Sequence, residues 1–133
     1  MKNYLLDTSI CVFLFRGKHD IELKLNNIGI EHCYISDITV AELRYGAYKS
    51  SQPVENNAMI DAFCEKIGIV PFADSIDVYA YEKNELRKRG ALIEDFDLLI
   101  GAAAKSTGMT LVTDNIKHFQ HISDLEIENW IER

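Results

Sequence analysis

Short apolar segments alternate with longer amphipathic segments along this chain. The short segments predict strands at residues 2–7, 33–35, 69–72, 110–113 and 125–130. Between them, apolar residues at helical spacing predict helices at residues 10–15, 21–28, 38–49, 54–66 and 94–105, and a long helix that ends at residue 89. Strands that alternate with helices imply a parallel sheet sandwiched by helices, so we expect the α/β class.

Polar residues and a proline set the expected ends of some of these elements. Thr8 or Ser9 is predicted to cap the first helix, and Asp74 or Ser75 to cap the long helix. Pro71 in the third strand indicates a sheet edge or a strand end, because proline has no backbone N–H to donate.

The composition is that of an ordinary globular domain. The 133 residues are 47% hydrophobic and 26% charged, and a chain of this length can bury a core without disulfides or a structural metal. We therefore expect residues 1–133 to form a single domain.

The cysteines and the absence of targeting signals indicate a cytoplasmic protein. Cys11, Cys33 and Cys64 lie in apolar stretches without the spacing of a zinc site or redox pair, so we expect buried, reduced thiols. The sequence shows no secretory leader and no apolar run long enough to span a membrane. The expected location is the cytoplasm, with no membrane association.

The net charge of −7 is unusual for a nucleic-acid-binding protein, because such domains are commonly basic. What this net charge implies for function depends on where the acids lie. Carboxylates spread over helix faces favour solubility, whereas carboxylates gathered in one cleft repel one another and require a cation.

Four acids are predicted to meet at one edge of the sheet. Active sites of open α/β sheets lie beyond the carboxyl ends of the strands. Asp7 ends the first strand and Asp114 follows the fourth. Glu42 and Asp97 lie on helices that are expected to pack over the same edge.

These acids favour a divalent cation. Glu42 and Asp97 stand in apolar stretches with no run of Arg or Lys beside them, and a buried carboxylate without a partner is strongly destabilising. Mg²⁺ prefers oxygen ligands, and a pair of such ions can stabilise the attacking and leaving oxygens of a phosphodiester. The pattern therefore indicates metal-dependent phosphodiester chemistry.

Each acid also has a structural alternative. Asp7 can cap the first helix, Asp114 can be a turn residue, and Glu42 can extend into solvent. Asp97 can be a first-turn acid, a role for which Asp95 competes.

Several short motifs follow one another along the whole chain. They are Leu6-Asp7-Thr8-Ser9, Thr39-Val40-Ala41-Glu42-Leu43 with Gly46-Ala47, Asp97-Leu98-Leu99-Ile100-Gly101-Ala102, Val112-Thr113-Asp114-Asn115 with His118-Phe119, and Glu128-Asn129-Trp130. In this order and spacing, the set resembles PIN-domain ribonucleases of the VapC toxin type.

The resemblance implies a three-layer α/β/α PIN-like fold and an endoribonuclease that depends on Mg²⁺, with Mn²⁺ as a substitute. It implies that Asp7, Glu42, Asp97 and Asp114 are catalytic and that Asp7 and Asp97 bind the metal. Water activated by the metal would then cleave an RNA phosphodiester bond. The resemblance also implies a homodimer and a toxin that is neutralised by a cognate VapB-type antitoxin.

Residues near the four acids also have expected roles. Four residues beside the acids are expected to assist with substrate: Thr8, Ser9, Thr113 and Asn115. His118 matches the family pattern but is expected to be a surface side chain, and Phe119 is expected to lie in the core. Asp95 is expected at the rim of the site, and Gly101, where the family usually has alanine, is expected to matter little.

Other exposed side chains have less specific expectations. Basic residues that either contact RNA phosphates or form a solvated face are Arg44, Lys49, Arg87, Lys88 and Arg89. Aromatic residues on helix faces that favour dimerisation are Tyr45, Tyr48, Tyr79 and Tyr81.

Two other functions fit the pattern less well. A phosphoacceptor signalling domain needs a paired acid at the first strand and a Lys after a late strand, but Asp7 stands alone and no such Lys follows Asp114. An inactive PIN-like module that binds RNA or protein is disfavoured because all four acids are present.

Overall fold

Five parallel strands form one sheet in the computed structural model, which describes residues 2–132. The strands are β1 (Tyr4–Leu6), β2 (Cys33–Ser36), β3 (Gly68–Val70), β4 (Thr110–Val112) and β5 (Ile127–Glu128). Their order across the sheet is β3-β2-β1-β4-β5, and every neighbouring pair is parallel. The predicted parallel sheet is confirmed.

Seven α-helices connect these strands within the described residues. They are α1 (Thr8–Phe15), α2 (Ile21–Ile28), α3 (Asp37–Tyr48), α4 (Pro53–Lys66), α5 (Ile76–Lys88), α6 (Asp95–Thr107) and α7 (Ile116–Phe119). Short 3₁₀ turns precede β2 and α5, at Ile30–His32 and Phe72–Ser75. Neither these turns nor α7 was predicted, because single turns carry too little periodicity to detect.

Most predicted boundaries shift by one or two residues in the structure. The third strand ends at Val70 rather than at residue 72, and β3 lies at a sheet edge as Pro71 indicated. Ser75 occupies the N-cap position of α5, but its hydroxyl makes no capping bond there; it lies 3.0 Å from the Ser106 hydroxyl.

The sheet separates two hydrophobic cores. Leu6 and Val112 point into a core with α1 to α4, whereas their neighbours Leu5 and Leu111 point into a core with α5 to α7. This alternation is the two-residue period of a strand that is buried on both faces. The α/β/α layering is therefore confirmed, and Phe119 is fully buried as predicted.

The chain order places a cleft beside β1. From β1 the chain moves outward through β2 to β3, and it then crosses over to β4 and β5 on the other side. Connections thus leave β1 and β4 in opposite directions, and ligands of such sheets bind at this reversal, beyond the carboxyl ends of the strands. Asp7 follows β1 directly, and its backbone N–H extends the pairing by donating to the Val112 carbonyl at 2.9 Å.

The cysteines form no disulfide. Cys11 and Cys33 are buried, and Cys64 is half-buried rather than buried as predicted. Burial raises the pKa of the Cys33 thiol to about 11, which keeps it protonated.

No helix among residues 2–132 has the length and apolar character needed to cross a membrane.

Candidate active site

Asp7 is the most buried of the four predicted acids. Its side chain is only 5% exposed, and its Oδ1 accepts a hydrogen bond from the backbone N–H of Thr8 at 2.8 Å. Oδ2 accepts from the Thr113 hydroxyl at 2.8 Å and from the Ser9 hydroxyl at 3.4 Å. Asp7 is thus the N-cap of α1, and the prediction that Thr8 or Ser9 caps this helix was wrong.

The environment of Asp7 disfavours its charge. Burial raises the pKa of Asp7 to about 6, and the nearby charges of Asp97 and Glu42 raise it as well. The hydrogen bonds from Thr113 and Thr8 act in the opposite direction. An ionised Asp7 is therefore under electrostatic stress that a bound cation would relieve.

Glu42 approaches the same cleft from α3. Its Oε1 accepts a hydrogen bond from the Thr8 hydroxyl at 2.7 Å. That hydroxyl has one proton, so it accepts from Thr39 Oγ1 at 3.0 Å. Burial raises the pKa of Glu42, the bond from Thr8 lowers it, and the charges of Asp97 and Glu94 raise it further.

Asp97 is placed in the cleft by the first turn of α6. Its side chain is half-buried, and its Oδ2 lies 2.8 Å from Nδ1 of His118. Asp95 points elsewhere and accepts hydrogen bonds from the Tyr79 hydroxyl at 2.7 Å and from Lys83 Nζ at 2.8 Å. The geometry thus brings Asp97, rather than Asp95, to Asp7 and Glu42.

Asp114 lies at the same edge of the sheet, two residues beyond the end of β4. Its Oδ1 accepts a long hydrogen bond from Asn129 Nδ2 at 3.5 Å. The charges of Asp7, Glu42 and Asp97 act on one another, and these three acids form what we call the acid cluster.

The four residues expected to assist with substrate have contacts with the protein itself. Thr8 holds Glu42, and Thr113 and Ser9 hold Asp7. The backbone N–H of Asn115 donates to Thr113 Oγ1 at 3.0 Å. In this structure the side chains of Thr8, Ser9 and Thr113 orient the acids.

Sequence reasoning missed two residues of the site. His118 is an exposed side chain, as expected, but its ring also contacts Asp97 and the Asn115 side chain. Thr39 was not considered, although its hydroxyl is fully buried beside Thr8. The three-residue spacing of Asn115 and His118, just after a strand-end acid, was the available signal, because residues at that spacing share a helix face.

A groove between α1, α3 and α4 opens beside Thr8 and Glu42. It encloses a cavity of about 440 Å³. Its walls are mainly apolar and include Val12, Phe15, Leu43, Ala47, Met59 and Ile60. Two cationic residues, Arg16 and Lys49, also line it.

Three of the basic residues considered for RNA contact are engaged with their own helices or neighbours. Arg44 donates hydrogen bonds to Asn57 and Asp61 on α4. Arg87 donates to Asn84 at 2.9 Å, and Lys88 pairs with Glu85 at 3.3 Å. None of these three lines the groove, whose cationic residues are Arg16 and Lys49.

The donor set of the cleft suits Mg²⁺ better than a metal that needs a closed cage of side chains. Throughout the described part of the chain, no three His, Cys, Asp or Glu side chains are grouped closely enough to hold an ion. Mg²⁺ commonly uses one or two carboxylates and keeps several waters, which leaves room for phosphate oxygens. Asp7 and Asp97 could hold such an ion.

The comparisons with known proteins agree on one family. The model of the PIN domain family matches residues 4–125. The chain is 38% identical to ribonuclease VapC2 of Rickettsia felis, over 96% of this chain and 97% of the relative. It is 31% identical to the tRNA(fMet)-specific endonuclease VapC of Shigella flexneri, over 98% and 99% of the two chains.

Solved structures show the same similarity. DNA-bound VapBC from Salmonella typhimurium contains a chain that matches with a TM-score of 0.90 at 30% identity, over 98% of this chain and 99% of that one. VapBC2 from Rickettsia felis, bound to a fragment of promoter DNA, contains a chain that matches with a TM-score of 0.88 at 35% identity, over 96% and 98%.

The metal-free protein should lose stability as the pH rises towards 7.5. The pKa of Asp7 is raised from 3.8 to about 6 in the folded state, so its favourable contribution is complete below 3.8 and is lost as the pH passes through 6. Between pH 5 and 7.5, Asp7 alone should lower the free energy of unfolding by about 1.4 kcal/mol. Urea unfolding in EDTA at both pH values measures this difference.

Asp7→Asn is the matched variant, because asparagine caps a helix as well as aspartate does but does not ionise. Between pH 5 and 7.5 the Asp7→Asn variant should lose less stability than wild type. Asp95→Asn, which lies outside the acid cluster, should lose as much stability as wild type. Equal pH dependence in wild type and Asp7→Asn would contradict the raised pKa.

Proposed function

The chain belongs to the PIN domain family, and we propose that it is a metal-dependent endoribonuclease that acts as the cytoplasmic toxin of a VapBC-type toxin–antitoxin module. The observation that carries the proposal is the acid cluster at the sheet reversal, where burial and mutual repulsion raise the pKa of Asp7 and of Glu42. Relatives named as VapC ribonucleases match nearly the full length of the chain.

The acid cluster supplies the groups that RNA hydrolysis requires. Asp7 and Asp97 are proposed to hold Mg²⁺, with Mn²⁺ as a substitute, and such an ion lowers the pKa of water and offsets charge on the phosphate. Thr113 and the N–H of Thr8 fix the two oxygens of Asp7. Glu42, oriented by Thr8 and with a raised pKa, is suited to accept the proton of the attacking water. The expected products are a 5′-phosphate and a 3′-hydroxyl.

Replacing each acid by its uncharged amide should show which carboxylates RNA cleavage requires. Asp7→Asn, Glu42→Gln and Asp97→Asn should each reduce RNA cleavage by at least about 100-fold, and Asp114→Asn should have a milder effect. Asp95→Asn is the matched control, since it removes a carboxylate two residues from Asp97 that pairs with Lys83. Cleavage of labelled RNA in Mg²⁺ measures the effect.

One result would contradict the assignment of Asp97. Full activity of folded Asp97→Asn, together with loss of activity in Asp95→Asn, would show that the wrong acid of α6 was assigned.

An antitoxin is proposed to occupy the groove beside the cleft. Solved structures similar to this chain are VapBC complexes. The groove offers apolar walls that end at Glu42 and the acid cluster, so a segment with apolar side chains and a terminal Arg or Lys would fit both parts. That cation would take the place of the metal and block the phosphate of the substrate.

Gly46 supports close approach of such a segment. It lies inside α3 and lines the groove, although glycine destabilises a helix relative to alanine. Among the described residues, an added Cβ would have no neighbour within 4 Å apart from the adjoining residues and the nearby backbone of α3. Internal packing therefore does not require glycine here, whereas a partner that packs against the helix backbone would.

Gly46→Ala should stabilise the free protein and weaken the complex. The gain in free energy of unfolding should be about 1 kcal/mol from helix propensity, while the new methyl group should obstruct the antitoxin segment. Thermal melts and calorimetric titration with a VapB-type antitoxin measure the two effects. Glu65→Ala, on the exposed side of α4, should leave antitoxin affinity unchanged; unchanged affinity in Gly46→Ala would remove Gly46 from the interface.

The protein is also proposed to be a homodimer. Tyr45, Tyr48 and Tyr81 are 67%, 73% and 60% exposed, whereas Tyr79 is held by its contact with Asp95. Exposed aromatic residues are enriched at protein interfaces. Light scattering at micromolar concentration should give twice the mass of one chain, and a monomer would contradict the proposal.

A further inference from the structure

A continuous chain of contacts connects the two proposed metal ligands. Thr113 Oγ1 donates to Asp7 Oδ2 and accepts from the Asn115 N–H. The Asn115 side chain lies 2.7 Å from His118 Nδ1, which lies 2.8 Å from Asp97 Oδ2. The segment between β4 and α7 thus reaches from one ligand to the other.

We propose that His118 is a positioning residue, whose Nδ1–H bond to Asp97 Oδ2 holds the carboxylate so that its second oxygen is available to the metal ion. The inference rests on the proposed function, and it assigns a role to a residue outside the four acids. Carboxylates that bind metals are commonly held in this way by a second hydrogen-bonded residue.

The contacts determine which ring nitrogen carries the proton. An ionised Asp97 carboxylate only accepts hydrogen bonds, so Nδ1 of His118 must donate. Asn115 Nδ2 faces the same ring nitrogen at 2.7 Å. Two donors cannot bond to each other, so with Nδ1 as the donor the Asn115 amide must be rotated to present its oxygen; the two orientations have nearly the same shape. His118 therefore donates from Nδ1 towards both side chains.

The position of α7 is fixed by packing that does not involve the imidazole ring. The next residue, Phe119, is fully buried, while the His118 side chain is 46% exposed. Gly101 lies one turn after Asp97, and a Cβ there would lie 2.8 Å from Ile122 Cδ1 and 3.3 Å from Phe119 Cδ1. Gly101 thus lies where this segment approaches α6 closely, and an alanine there would displace the end of the flexible Ile122 side chain.

The two amide variants of His118 test the bond itself. The side-chain nitrogen of asparagine can replace Nδ1, whereas that of glutamine lies at the distance of Nε2. At constant pH 7.5, His118→Ala and His118→Gln should bind Mn²⁺ about 10- to 100-fold more weakly than wild type. His118→Asn should restore most of the affinity. Calorimetric titration with Mn²⁺ measures binding without RNA.

Activity gives a second readout. If His118 only positions Asp97, RNA cleavage by His118→Gln should approach the wild-type rate at saturating Mn²⁺. Thermal melts in EDTA verify that each variant is folded, and His118→Gln serves as the disrupted variant should His118→Ala fail to fold.

Four results would overturn the inference. Wild-type Mn²⁺ affinity in folded His118→Ala or His118→Gln would show that the bond does not hold the ligand. Failure of His118→Asn to restore affinity would show that the Nδ1 donor is not the cause. Lost cleavage with unchanged Mn²⁺ affinity would assign His118 a catalytic role instead. A wild-type protein that binds no Mn²⁺ would overturn the proposed function as well.

Discussion

The burial of Asp7 and Glu42 beside each other and beside the charge of Asp97 is the constraint on which the site depends. Three elements, β1, α3 and α6, bring these carboxylates together at the point where the sheet connections reverse. Burial removes the water that would otherwise screen them, so the charged forms of Asp7 and Glu42 are disfavoured. A folded protein that retains such an arrangement sacrifices stability at neutral pH, and a bound cation restores it.

The surrounding structure orients these acids rather than neutralising them. Hydroxyl groups and a backbone N–H, from Thr8 and Thr113, satisfy part of the Asp7 and Glu42 carboxylates. Asp7 also caps α1, so one side chain serves both the helix and the site. By contrast, Asp95 has a full partner in Lys83 and stands outside the cluster. Asp95 is thus paired with a lysine outside the cleft, whereas Asp97 contacts His118 within it.

Much of this arrangement could be predicted from the sequence, because strand ends in a parallel sheet share one edge. Asp7 ends a short apolar strand, and helical spacing around Glu42 gave α3, so their convergence followed from fold class. The resemblance to PIN-domain ribonucleases was the reason for assigning the metal ligand to Asp97 rather than to Asp95. The role of His118 could not be predicted in the same way, because it depends on how closely α7 packs against Gly101 and on a ring contact across 21 residues. Likewise, only the three-dimensional structure shows that the space beside Gly46 is open.

The most direct test of the account is the effect of Mg²⁺ on thermal stability. Wild type, Asp97→Asn and Asp95→Asn should be melted in EDTA and in increasing millimolar Mg²⁺. The account predicts that Mg²⁺ raises the melting temperature of wild type and Asp95→Asn with a mass-action dependence on concentration, and that Asp97→Asn gains little. Equal stabilisation of all three proteins, or of none, would show that these carboxylates are not the metal site and would contradict the account.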